Sequence, residues 1–252
     1  MRNAVFVTCR SASTRLPNKA YLELYPRVSL IEHIIRRAKL VETAQMVILC
    51  TTELKEDDKL CEIAESLGVE IFRGPVEDKL ARWFGAAVKF QIDNIATMDG
   101  DDPFCDPKLT GSAFAQLQEF DFIESTEIVT GGFTYAFRTE ALEKVCKFKD
   151  SKDTEMMWTY FKDSGKFKVG SLTGVPKDLL RSDIRLTLDY QEDLLLFRRL
   201  FLMVPGKEKI ALGDVVKILA ERADLREMNF FRQSDFKANQ LAKTKLRVKG
   251  VY

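Results

Sequence analysis

The 252-residue chain holds one histidine, no Cys-x-x-Cys pair and no glycine between Val7 and Lys19. Its five cysteines (Cys9, Cys50, Cys61, Cys105, Cys146) are odd in number and widely spaced, which excludes a disulfide framework or a zinc site and predicts reduced, mostly buried thiols. The apolar runs near the start are only four or five residues long, too short for a membrane span or a signal-peptide core, so a cytoplasmic protein without membrane insertion is expected. Neither sign of charge dominates. With 39 Lys and Arg against 38 Asp and Glu, no global field favours nucleic acid or an anionic membrane, and any preference for anions must come from a local cluster. The lone His33 lies off the apolar stripe of its predicted helix, beside Arg36 and Arg37, which predicts a surface role rather than a catalytic one.

What is present is an ordinary globular composition, 46% hydrophobic and 31% charged. Strand-like runs alternate with helix-period segments. Ala4–Cys9, Met46–Thr51, Val69–Phe72 and Ile92–Met98 read as strands; Val28–Val41, Lys55–Leu67 and Lys79–Phe90 read as helices. This rhythm predicts an α/β fold: a nucleotide-binding, Rossmann-like, mostly parallel sheet with helices on both faces. The pattern loosens between Glu119 and Arg181, where a Gly131-Gly132 turn precedes a strand at Phe133–Phe137 and helices at Thr139–Cys146 and Thr154–Phe161. A strand at Ser182–Leu188, helices at Tyr190–Leu202 and Ala211–Ala223, and a basic peripheral tail at Phe236–Tyr252 complete the reading. The expected division is a main domain at 1–204, with an acceptor-binding region at about 120–182, and a C-terminal extension at 205–252.

Two segments fall at carboxyl ends of predicted parallel strands, where such sheets bind ligands. The first, Cys9 to Lys19, places Arg10, Arg15 and Lys19 in one loop. Without glycines it matches neither the Walker pattern nor the dinucleotide fingerprint, so a polyphosphate there would be held mainly by side-chain cations. A cation about 4 Å from a phosphate contributes about 4 kcal/mol at a surface-like dielectric before desolvation. The alternative is a solvated loop with ordinary surface charges.

The second segment is Asp99-Gly100-Asp101-Asp102-Pro103. In extended chain Asp99 and Asp101 point the same way while Asp102 turns aside. Such a pair beside a basic loop suits Mg²⁺, which binds one or two carboxylates together with substrate phosphates; an Asp-rich turn is the competing reading. Further on, Asp189 with Glu192 has the form of a helix N-cap and its box partner. Asp78 and Arg82, four apart on a helix, are expected to pair.

The stretch Arg10-Ser-Ala-Ser-Thr-Arg-Leu-Pro-Asn-Lys19 resembles the signature of the cytidylyltransferases that make CMP-activated sugar acids, most nearly the spore-coat polysaccharide type. The likeness continues through Leu30–His33, Phe72–Gly74, Gly100–Pro107, Arg185–Asp189 with Glu192–Leu194, and Leu225–Asn229. It implies transfer of CMP from CTP to a small anionic acceptor, release of pyrophosphate, and a possible homodimer. By matching position it implies that Arg10, Ser13, Arg15 and Lys19 bind the triphosphate, that Arg10, Lys19 and Asp101 serve catalysis, and that Asp101 and Asp189 hold Mg²⁺. Relatives often carry Gln or Thr at the place of Asp99, so that residue, grouped with the nucleotide, is either a metal ligand or has another task. An acidic acceptor needs cations, which nominates Arg138, Lys177, Arg181 and Arg185, together with Tyr135. Rival readings are a phosphonate or polyol-phosphate acceptor, a glycosyltransferase using Asp99-x-Asp101 to hold a nucleotide sugar, and a nucleotide-binding protein without turnover.

Overall fold

The structure, a computed structural model, describes residues 1–243 and 247, apart from 14, 126 and 155. In β1 (Asn3–Thr8), Val5 and Val7 enter one apolar cluster while Ala4 and Phe6 enter another, because successive strand residues face opposite sides of a sheet. A short antiparallel ribbon of β2 (Glu23–Tyr25) and β3 (Val28–Ser29) leads into α1 (Leu30–Ala38), whose start is fixed by a Ser29–Glu32 capping box. The alternation continues with β4 (Met46–Thr52), α2 (Asp58–Ser66), β5 (Glu70–Gly74), α3 (Lys79–Phe90), β6 (Asn94–Asp99) and α4 (Pro107–Gln116). Next come β7 (Phe122–Glu124), β8 (Tyr135–Arg138), α5 (Thr139–Phe148), α6 (Trp158–Lys162) and β9 (Val169–Ser171).

These strands form one seven-stranded sheet in the order β5-β4-β1-β6-β8-β7-β9. Strands β5, β4, β1 and β6 are parallel, and β8 runs antiparallel to both its neighbours. On the Val5–Val7 face lie α1, α2 and α4, together with α7 (Gln191–Met203), α8 (Leu212–Glu221) and α9 (Ala223–Phe230). The other face is covered by α3, α5 and α6. Leu212, Val215 and Leu225, which lie in the expected C-terminal extension, share the cluster of Val5 and Val7.

Four local expectations change. Ser182–Leu188 is not a strand of the sheet: Arg185 forms an isolated bridge with Thr130, itself outside the named strands, and the Leu188 amide donates to the Asp101 carbonyl at 2.7 Å. The helix expected from Thr154 starts at Trp158, since the Thr154 hydroxyl accepts from the Leu80 amide and donates to Asp78, tying it to the head of α3. The tail expected from Phe236 folds, as far as it is described, into α10 (Gln233–Lys243); residues 244–246 and 248–252 lie outside the described residues. His33 is buried rather than at the surface, because Phe201 of α7 and the segment after Asp102 cover that flank of α1.

Candidate active site

The ends of β1 and β6 meet closely. The Gly100 amide donates to the Thr8 carbonyl at 2.8 Å, and a Cβ on Gly100 would lie 2.7 Å from the Cys9 sulfur and 2.9 Å from the Thr8 oxygen. Only glycine permits that approach, which sets the basic loop after β1 against the acids after β6. Lys19 Nζ donates to Asp101 at 2.8 Å, to Asp189 at 3.1 Å and to the Leu188 carbonyl at 3.1 Å. Arg15 pairs with Asp189 as well. Burial works against the Lys19 charge, but Asp101 and Asp189 outweigh it and hold the ammonium above its ordinary pKa. Residues 82 and 170 positions away thus converge on one cation.

Asp102 does not turn away from its neighbours. Its amide donates to the Asp99 carbonyl at 3.1 Å, so the segment is a turn and the alternation of extended chain no longer applies. Asp99, Asp101 and Asp102 each bring a carboxylate oxygen within 4.8 Å of the other two. Burial, then the charges of Asp101 and Asp99, push the Asp102 carboxyl well above the usual range, and one of its buried oxygens has no hydrogen-bond partner. Burial likewise raises Asp101 despite the opposing pull of Lys19. Asp99 accepts from Lys79 at 3.2 Å.

Asp189 does not cap α7. Tyr190 holds the N-cap position, and Asp193 rather than Glu192 supplies the box carboxylate, accepting from the Asp189 and Tyr190 amides at 2.8 Å each; the Asp189 side chain is left to its cations. Burial raises the Asp189 pKa, but Lys19, Arg15 and Arg185 together bring it below the ordinary value.

A buried carboxylate that sequence reasoning passed over braces the loop. Asp57 accepts from the Ser11 amide at 2.7 Å, the Ser11 hydroxyl, the Thr51 hydroxyl at 2.8 Å and the Thr52 amide at 3.1 Å. Burial opposes its charge, yet these donors hold it below the usual carboxylate range. The sequence places it inside the helix expected over Lys55–Leu67, beside Glu56 and Asp58, where nothing distinguishes it from an ordinary helix-surface acid.

A cleft of about 850 Å³ opens between these groups. Arg10, Ser13, Arg15, Lys19, Asp99 and Asp101 all line it. Of the residues expected at the acceptor, Tyr135 lines it too. Arg138 does not: it pairs with Asn94 at the far end of β6, because β8 runs antiparallel. Arg181 pairs with Asp183 at 2.7 Å and lines a separate hollow against α8, with Lys177 in the short turn just before it. The Arg185 side chain is fully buried between Asp189 and Asp193, at 2.9 and 3.1 Å. The expected Asp78–Arg82 pair gives way to Asp78 with Lys149, while Arg82 donates to the Pro75 carbonyl at 2.8 Å. Sequence reasoning missed Lys79, Arg82, Lys162 and the face of α10 as lining groups; the first three sit on ordinary helix patterns that carry no local mark of a cleft.

Comparison with known proteins agrees with this architecture. A family model described as cytidylyltransferase matches residues 4–235. An uncharacterized protein of Methanocaldococcus jannaschii, MJ1063, is 33% identical over 198 residues, covering 77% of this chain and 81% of that one. The spore coat polysaccharide biosynthesis protein SpsF of Bacillus subtilis is 22% identical, with 89% of this chain and 97% of its own covered. The solved structure of a cytidylyltransferase from Leptospira borgpetersenii superposes with a TM-score of 0.80 at 25% identity, over 89% of this chain and 96% of that chain. With a family match that runs through the basic loop, the acid turn and Asp189, the chain belongs to the cytidylyltransferase family.

Proposed function

We propose that this protein transfers CMP from CTP to an acidic sugar or related anionic acceptor, with release of pyrophosphate. The observation that carries the reading is Lys19, from the loop after β1, held between Asp101 and Asp189 at one end of the cleft. Arg10, Ser13, Arg15 and Lys19 bind the triphosphate, and Asp57 keeps the loop in place by holding Ser11. Nucleotidyl transfer asks a protein mainly to position its reactants and neutralise charge. The acceptor oxygen attacks the α-phosphorus in line with the departing pyrophosphate, whose charge falls to Arg10 and Lys19.

The acid turn fits a divalent cation. Three carboxylates converge, one buried Asp102 oxygen lacks a partner, and the Lys19 ammonium already occupies a cation's position between Asp101 and Asp189. Asp101 and Asp189 would hold Mg²⁺. When bound, the ion supplies charge neutralisation at the phosphate oxygens.

A nucleotide-sugar donor presents only a diphosphate and has less use for a loop with three cations, which disfavours a glycosyltransferase. SpsF, whose name places it in spore coat polysaccharide synthesis, supports a role in making surface polysaccharide or glycoconjugate. The test offers each of the four nucleoside triphosphates with Mg²⁺ and a panel of sugar acids, phosphonates and polyol phosphates, and measures pyrophosphate. CTP with a sugar acid is expected to give the highest rate; a preference for a phosphonate or a polyol phosphate would move the acceptor class.

A further inference from the structure

The family match stops at residue 235, yet the cleft continues beyond it. Helix α10 is fixed across the cleft by its first turn: Gln233 bonds to Thr130 at 3.3 Å and Arg185 at 3.3 Å, and the Arg185 guanidinium lies 4.5 Å from the centre of the Phe236 ring. Arg185 in turn pairs with Asp189, so the helix is tied to the ion-pair cluster itself. The charges of α10 are sorted. Its one acid, Asp235, pairs with Arg232 at 3.0 Å away from the cleft, while Lys237, Asn239, Gln240 and Lys243 line the cleft. Among the described residues Lys237 has no ion pair or hydrogen bond.

We propose that this face of α10 is the acceptor subsite: Lys237 receives the acid group of a polyhydroxylated acid, and the amides of Asn239 and Gln240 bind its hydroxyls. The inference rests on the reaction proposed above and identifies where its second substrate sits. The side of the cleft beyond the basic loop is free for that substrate, since the loop cations belong to the triphosphate. A cleft of about 850 Å³ lies in the upper part of the range usual for ligand sites and has room for two substrates. Amide and ammonium groups suit hydroxyls and a carboxylate.

The experiment compares the full-length protein with Lys237→Ala, Lys237→Glu and Lys237→Arg by initial rates of pyrophosphate release, varying CTP and a sugar acid such as 3-deoxy-manno-octulosonate separately. For a charge-assisted contact, Lys237→Ala is expected to raise the acceptor KM about tenfold or more, with Lys237→Glu worse and Lys237→Arg close to the unaltered enzyme. The KM for CTP should stay within about twofold, because Lys237 is not among the triphosphate's cations. An unchanged acceptor KM in Lys237→Glu, or an equal rise in both KM values, overturns the subsite while leaving the reaction standing. No pyrophosphate from the unaltered enzyme with any sugar acid overturns both.

Discussion

On the side of the loop after β1, Lys19, Arg15 and Arg185 meet Asp101, Asp189 and Asp193 in a linked set of ion pairs, and Asp57 braces the loop from behind. On the other side the groups facing the cleft are Tyr135 of β8 and, on α10, Lys237, Asn239, Gln240 and Lys243, a helix joined to the core mainly through Gln233, Phe236 and Arg185. The first side has its charges gathered on a few fixed positions before substrate arrives, which suits one constant kind of ligand. The second presents lysines and amides along one helix. A family that shares a donor nucleotide but differs in acceptors would be built in this way, with an ion-paired core where the substrate is constant and a peripheral helix where it varies.

The largest effect expected from breaking the fixed side is that of Asp101→Asn. Turnover should fall about a thousandfold or more, as for loss of a group that stabilises developing charge, while the melting temperature stays close to that of the unaltered protein. Pyrophosphate assay and thermal unfolding check the two halves of that statement. A fall in turnover that merely tracks loss of folded protein would assign Asp101 to the fold alone.

Asp57→Asn should act less strongly and in a different way. It keeps the shape but removes the charge that gathers Ser11, Thr51 and Thr52, so the KM for CTP should rise about tenfold and stability should drop by about 1–3 kcal/mol. Because folding lowers the Asp57 pKa, its contribution is fully present above the ordinary carboxylate range and is lost as pH falls through the folded value. Denaturant unfolding of both proteins between pH 7 and pH 3 measures this; parallel pH profiles would contradict it.

His33 supports the same side. Its Nε2 donates to the Pro103 carbonyl at 2.8 Å and its Nδ1 accepts from the Tyr25 hydroxyl at 3.2 Å, which ties α1 to the acid turn through a neutral ring. Burial, then the charge of Arg37, lowers its pKa from 6.5 to about 3. A lowered histidine pKa means stability that is intact above pH 6.5 and declines as pH falls toward about 3, with a slope of at most about 1.4 kcal/mol per pH unit. Replacement by glutamine should flatten that part of the curve. The smallest effects should come from Arg138→Ala and Lys177→Ala, whose side chains do not line the cleft; acceptor KM should stay within about twofold.

Much of the fixed side was legible because it depends on local chemistry. The cations of residues 10–19 directly follow the strand at Ala4–Cys9 and the acids directly follow the strand ending at Met98, and the rule that parallel sheets bind ligands at strand carboxyl ends brings these two distant segments together. What local pattern misses is closure at a distance. Asp102 joins the acids through a turn hydrogen bond to Asp99, and Asp189 reaches them because the amide of Leu188 binds the carbonyl of Asp101. His33 is polar by type and buried by tertiary packing. The three-residue strands β7 and β9 are too short for a period-two signal. The amphipathic pattern of α10 is weak because its inner face meets a cleft rather than an apolar core, so a tail and a cleft wall look alike in sequence.

The most direct test of convergence on one nucleotide tail is calorimetric titration of CTP, with and without Mg²⁺, into the unaltered protein, Asp101→Asn and Lys19→Ala. The account predicts that Mg²⁺ tightens CTP binding about tenfold or more in the unaltered protein, that Asp101→Asn abolishes this gain, and that Lys19→Ala weakens binding in both conditions. A Mg²⁺ gain that survives intact in Asp101→Asn would contradict it.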